Sequence, residues 1–157
     1  MIKRIASRIL ILDEAHQILL LRGSDPTQPE KNPWWLTPGG GIEPGETIQE
    51  CAMRELWEET GFQAKIETEP IWERRTQFEF YGDTYEQREF YFLIQTENFV
   101  PDPASLSPLE VESILEHRWW SHEEILRTED MIYPAALAGR FQDLLQPTWA
   151  STIYLDE

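Results

Sequence analysis

Residues 39–62, "GGGIEPGETIQECAMRELWEETGF", decide how the rest of the 157-residue chain is read. Three glycines, Gly39 to Gly41, precede a Pro-Gly turn and then a helix-forming run. Thr47 with Glu50 three positions on has the capping-box pattern that opens a helix. Gly61 stands where a left-handed residue would close it. The spacing predicts a helix over 47–60. At about 100° per residue, Ala52, Met53, Leu56 and Trp57 share one broad side, which is expected to pack on a sheet.

Glu55, Glu58 and Glu59 follow i, i+3, i+4 spacing and share a different face of that helix. In a chain with 29 acidic residues, a solvated acidic face is the simple reading. Two costs count against it. Glu55 and Glu59 are like charges one turn apart, which destabilises a helix. Acids in the last turn also oppose the helix dipole, by about 0.3–1 kcal/mol each when exposed. A bound cation would offset both. An all-carboxylate donor set suits Mg²⁺, a hard cation that takes oxygen ligands. His16, His117 and His122 are scattered, which disfavours zinc. Arg54 either orients one of these acids through a salt bridge or forms an ordinary surface pair. Glycines beside the acids let the backbone approach a ligand closely, where the bland alternative is a flexible turn.

Outward from this stretch, "IASRILILDEAHQILLLR" reads as a β-hairpin turning at Asp13–Gln17. Residues 23–33 are a loop full of breakers. "WWLTPGG" is irregular or short-strand structure, since Pro and Gly forbid a long ladder. Residues 64–97 read as strands, with Gly82-Asp83 as the turn between two of them. Residues 98–110 are a Pro-rich loop, and "HRWW" opens a last short strand. "SHEEILR" carries a Ser cap with Glu124 three residues on, and "YPAALAGRFQDLL" reads as a full helix from about Pro134. The order suggests one mixed sheet between helices, in a single domain over 1–157.

Composition narrows the function classes. Formal net charge is −16, with 13 basic residues, so a basic face for duplex nucleic acid is not expected. An acidic chain can still bind phosphates when a divalent cation stands between the charges. The one cysteine, Cys51, cannot form a disulfide within the chain and reads as a buried, inert thiol. The N-terminal apolar run is broken by Arg8 and followed by Asp13 and Glu14, unlike a signal peptide, and no stretch is long enough to span a membrane. The expected location is the cytoplasm.

Residues 40–62 resemble the Nudix box, G-x5-E-x7-R-E-U-x-E-E-x-G-U with U a bulky apolar residue. Gly40, Glu46, Arg54, Glu55, Leu56, Glu58, Glu59, Gly61 and Phe62 fill its specified positions. The resemblance implies the Nudix fold, an α/β/α sandwich around a mixed β-sheet. It also implies Mg²⁺- or Mn²⁺-dependent hydrolysis of a nucleoside diphosphate linked to another moiety, a small-molecule substrate. Glu55, Glu58 and Glu59 would hold metal, with the Gly39 carbonyl completing its shell and Glu46 supporting from behind. Arg54 belongs to the same catalytic constellation. Glu58 or Glu59 would double as general base. A further carboxylate is sought beyond the box, at Glu110 or Glu112 before "HRWW", and third at Glu89. Arg74 and Arg75 are candidates for phosphate contacts, but alternation sends them to opposite faces of a strand. Trp34 and Trp35 either stack on a base or pack inside, while Trp119 and Trp120 read as core. The rival readings are a nucleotide sensor on the same fold that does not cleave, and an isopentenyl-diphosphate isomerase-like enzyme, which would want a reactive Cys. Look-alikes leave a homodimer open.

Overall fold

The structure is a computed structural model that describes residues 1–31, 33–146 and 151–156. β1 (Ile2–Leu12) and β2 (Ile18–Gly23) form the expected hairpin, closed by Asp13, whose side chain accepts the N–H groups of Ala15 and Gln17. The two strands diverge at once, and Leu12↔Ile18 is their only paired position. β1 then serves as the hub of the sheet.

β3 (Trp34–Leu36) and β4 (Gly39–Gly41) are the short strands expected around Thr37-Pro38. α1 (Ile48–Thr60) has both hydrogen bonds of the capping box, between Thr47 and Glu50. Gly61 closes it at φ 76°, with its N–H donating to the Trp57 carbonyl. β5 (Trp72–Phe80) and β6 (Asp83–Gln95) make the long hairpin. Its turn residues are Tyr81 and Gly82, both at positive φ, rather than Gly82 and Asp83, because Asp83 already pairs with Phe80. Residues 64–70, expected to begin a strand, are irregular.

The last third of the chain departs most from the sequence reading. Inside the Pro-rich loop sits α2 (Pro108–Ser113), opened by a capping box between Ser107 and Glu110. Pro108 falls in the stretch expected to be a Pro-rich loop, but at a helix start its fixed φ and missing N–H cost nothing. β7 (Ile114–Trp120) follows directly, so "HRWW" ends a strand instead of opening one. α3 (His122–Arg127) has the expected Ser121 cap. β8 (Met131–Tyr133) and β9 (Ile153–Leu155) are three-residue strands too short to show a period. The last predicted helix is only α4 (Leu137–Arg140), continued by a 3-10 turn over Phe141–Leu145.

The strands join in the order β8-β3-β2-β1-β6-β5-β9, with β4 paired to β1 and β7 to β2. β1 runs parallel to β6 along its whole length and antiparallel to β2 and β4, so the sheet is mixed. One face packs on α1 through Ile9, Ile11, Leu19, Ala52, Leu56 and Phe92. The other packs on the C-terminal helical segments through Leu10, Leu20, Trp35, Trp72, Trp120 and Phe141. The result is the α/β/α sandwich.

One correction concerns α1. Trp57, placed on the packing side, is 40% exposed, while Glu55 and Glu59 are buried beside Cys51, Ala52 and Leu56. The buried stripe is rotated toward the acids, so the apolar and acidic faces are not separate. Cys51 is fully buried, as expected, and burial pushes its thiol pKa up.

Candidate active site

β4 lies against β1 with Gly39, Gly40 and Gly41 opposite Arg8, Ser7 and Ala6. Space explains two of these glycines. A Cβ on Gly40 would lie 2.5 Å from Glu55 Oε1, and one on Gly39 would lie 2.1 Å from the Ser7 carbonyl oxygen. Gly39 also has φ 144°, which other residues rarely adopt. The glycine strand therefore lets α1 bring its carboxylates to the backbone. Gly39 N–H donates to Glu59 Oε1 at 2.7 Å. The Gly39 carbonyl accepts from Arg8 Nη1 at 3.2 Å, and the Gly40 carbonyl faces Cys51 Sγ at 3.4 Å.

Glu55 and Glu59 are 7% and 4% exposed. Glu110, from the first turn of α2, joins them from across the cavity: one oxygen of each lies within 4.8 Å of the others. Two unit charges at about 4 Å repel by about 4 kcal/mol at an effective dielectric of 20. Burial, and then the Glu55 charge, hold the Glu59 carboxyl well above the usual carboxylate range. Burial also raises Glu55 and Glu58, against the opposing pull of Arg54. Arg54 and Arg8 do not offset the burial of these neighbouring carboxyls, whose all-oxygen donors fit a hard divalent cation.

Arg54 holds the constellation in register. Its Nε donates to Glu46 at 2.6 Å, Nη1 to Glu55 at 2.9 Å and to Glu58 at 3.2 Å, and Nη2 to the Gly41 carbonyl at 3.0 Å. Between its two sequence readings, the orienting salt bridge is the one realised. The Arg54 hydrogen bond lowers the Glu46 pKa, and Glu46 stays behind the arginine, outside the carboxylate cluster. Glu58 is also outside that cluster but lines the open cavity.

That cavity has a volume of about 470 Å³. Its walls are β4 with Glu55 and Glu58, Arg4 and Arg8 from β1, Phe80 and Tyr85 from the β5–β6 hairpin, and residues 105–110. A second hollow of about 420 Å³, beside Trp57, Phe62 and Phe99, offers Asp102 as its one acid.

The other candidates lie elsewhere. Glu112 is exposed and not in the cluster. Glu89 is buried and accepts from Arg8 (3.1 Å), Arg74 (2.8 Å), Gln87 (2.6 Å) and Tyr91 (2.9 Å). Arg74 is thereby committed to Glu89, and Arg75 is exposed on the opposite face; neither lines the cavity. Trp35 is buried edge-on to Trp120, with Nε1 donating to Asp130. Trp34 sets its edge against Phe80, one residue behind the cavity wall. Trp120 is buried and Trp119 partly so, as core residues. Sequence reasoning missed Arg4, Arg8, Phe80 and Tyr85. Alternation puts Arg4 and Arg8 on one face of β1, but nothing local says that this face meets the glycine strand.

A mixed sheet between two helical layers, with buried glutamates converging on a glycine strand at one cavity, defines the class of protein. Comparison with known proteins agrees. The NUDIX domain family matches residues 2–138. The chain is 41% identical over 58 residues to a putative 8-oxo-dGTP diphosphatase of Bacillus subtilis, covering 37% of this chain and 35% of that protein. It is 34% identical over 100 residues to phosphatase NudJ of Shigella boydii, covering 64% of this chain and 60% of that one. The crystal structure of a MutT protein from Methanosarcina mazei superposes with a TM-score of 0.57 at 29% identity, covering 91% of this chain and 93% of that chain. The chain belongs to the Nudix family.

Proposed function

We propose that this protein is a Mg²⁺- or Mn²⁺-dependent hydrolase that cleaves a phosphoanhydride bond in a nucleoside diphosphate linked to another moiety. The observation that carries the reading is the convergence of Glu55, Glu59 and Glu110 oxygens within 4.8 Å, beside a cavity lined by Glu55, Glu58, Glu110 and three arginines. Relatives named as a diphosphatase and a phosphatase support the reaction class. Glu55, Glu59 and Glu110 are the residues that would hold the metal, with Glu58 at the rim. When bound, a divalent cation there would neutralise phosphate charge and make water a better nucleophile.

The chain's own groups supply the rest. Water adds to one phosphorus, the anhydride P–O bond breaks, and each product keeps a phosphate. The water proton passes to a carboxylate. Glu58 suits this better than Glu59, because it opens on the cavity while Glu59 is sealed against the Gly39 N–H. Arg54 keeps Glu58 oriented through their 3.2 Å ion pair.

The test is chromatography of the cleaved products from nucleoside triphosphates, nucleotide sugars and dinucleoside polyphosphates with Mg²⁺, for wild type and Glu58→Gln. We expect turnover of at least one class, lowered about 10²–10⁴-fold in the variant, as for loss of a general base. Near-wild-type turnover by Glu58→Gln would remove Glu58 from the chemistry, and silence of the wild type toward every class would remove the hydrolase reading.

A further inference from the structure

The cavity holds three arginines, and they are not equivalent. Arg54 is shared among Glu43, Glu46, Glu55 and Glu58. Arg8 is paired with Glu89 and the Gly39 carbonyl. Arg4 has no carboxylate within ion-pair distance among the described residues. Its Nε donates to the neutral amide oxygen of Gln87, its neighbour across the β1–β6 ladder. Its guanidinium lies over the Tyr85 ring, 4.9 Å from the centroid, and its Nη1 would be 3.4 Å from a Cβ on Gly41. The group is thus held by Gln87, Tyr85 and the glycine strand, and the residue lines the cavity.

We propose that Arg4 grips a phosphate of the substrate, and that the planar group beyond this phosphate rests on Phe80 beside Leu106 and Leu109. The proposal rests on the hydrolase reading above and deepens it by assigning the substrate's two ends. A guanidinium held flat with spare donors is the geometry that takes phosphate oxygens in pairs. Position follows charge. The carboxylates of α1 and α2 converge on one point, so an anionic chain reaching beyond it needs a cation that no glutamate has already claimed. Arg4 is that cation. Next to it the wall turns apolar: Tyr85 is covered by Arg4 on one side and Phe78 on the other, which leaves Phe80, set edge-on by Trp34 and Tyr81, as the ring offered to a ligand. Leu106 and Leu109 also line the cavity. A flat, apolar ring fits there, and a cavity of about 470 Å³ is within the range of small-molecule sites. A nucleotide of the class proposed above would then lie with its base on the hairpin and its phosphates running from Arg4 to the carboxylates.

The experiment is binding of adenosine 5′-diphosphate, by calorimetry with Ca²⁺ present, to wild type, Arg4→Gln and Arg4→Lys, with kcat and KM measured in Mg²⁺ on the best substrate of the panel. Arg4→Gln is expected to bind about tenfold or more weakly, and to raise KM by a similar factor while kcat changes less. Arg4→Lys keeps the charge without the fork and is expected to lie between the two. Binding by Arg4→Gln within twofold of wild type overturns the proposal. Should Arg4→Gln not fold, wild-type affinity in Arg4→Lys overturns it in its place. The binding arm is independent of turnover, so a wild type that binds the nucleotide through Arg4 but hydrolyses nothing would sink only the hydrolase reading.

Discussion

At the scale of single residues, the site is built from charges that the fold does not let relax. Glu89 shows this away from the carboxylate cluster. It is 2% exposed, and burial alone would raise its pKa, but Arg8 and Arg74, with the hydrogen bonds from Tyr91 and Gln87, together outweigh burial and hold it below the ordinary value. A carboxylate whose pKa is lower folded than unfolded adds stability above its unfolded pKa. That stability is lost as pH falls through the folded value. Glu89→Gln should therefore cost about 3–5 kcal/mol at neutral pH, the usual cost of breaking a buried pair. The gap from wild type should narrow below about pH 4.5, as Glu89 takes up its proton in the unfolded and then the folded chain. Urea unfolding at several pH values measures the gap; one that stays constant from neutral to strongly acidic pH would show that the pair carries no linked proton. The buried arginines that Glu89 holds were not legible in sequence. Arg74 and Glu89 sit 15 residues apart on separate strands, and only the register of the β5–β6 hairpin makes them neighbours.

At the scale of elements, local signals were readable wherever they were covalently close. Thr47, Glu50 and Gly61 mark both ends of α1, and Ser121 marks the start of α3, because caps are decided by residues three or four apart. The same chemistry was present at Ser107 and Glu110, but Pro103 and Pro108 obscured it, so α2 was read as loop. β8 and β9 were missed for a different reason: a three-residue strand has no period, and its pairing partner decides its existence. Within the site, Glu55 and Glu59 were legible as a spaced pair, yet their burial was not. Trp57 was the better apolar candidate by composition, and the glycine strand drew the acids inward instead. The two ends of α1 also differ in strength. Thr47→Ala removes one exposed cap and should cost about 1 kcal/mol. Gly61→Ala puts a side chain on φ 76° and a Cβ 2.3 Å from the Asp102 carbonyl oxygen, so it should cost more, about 1–3 kcal/mol. Thermal unfolding of the two variants checks the order, and a reversed order would mean that the Asp102 loop yields freely.

At the scale of the whole molecule, net charge and site architecture act on one equilibrium. A chain of net charge −16 that also buries neighbouring glutamates gives up stability in the metal-free state. A ligand that binds only the folded cluster returns it: at a hundred times its dissociation constant, the gain is about 2.7 kcal/mol. For a domain of this size that is a rise in Tm of about 5–10 °C. Mg²⁺ at millimolar concentration should produce such a rise, and Na⁺ at matched ionic strength should not, since screening alone acts on all exposed charges equally. Glu59→Gln separates this from a general surface effect. Its amide oxygen can still accept the Gly39 N–H, so the backbone contact survives, while one of the buried like charges is gone. The variant should therefore melt higher than wild type without metal and lose most of the Mg²⁺-dependent rise. Melting curves of both proteins with and without Mg²⁺ decide the matter. A variant that melts lower without metal, or keeps the full rise with it, would show that the Glu55–Glu59 repulsion is not what the cation relieves. With the expected result, the instability of the empty cluster and its affinity for metal are one quantity measured in two ways.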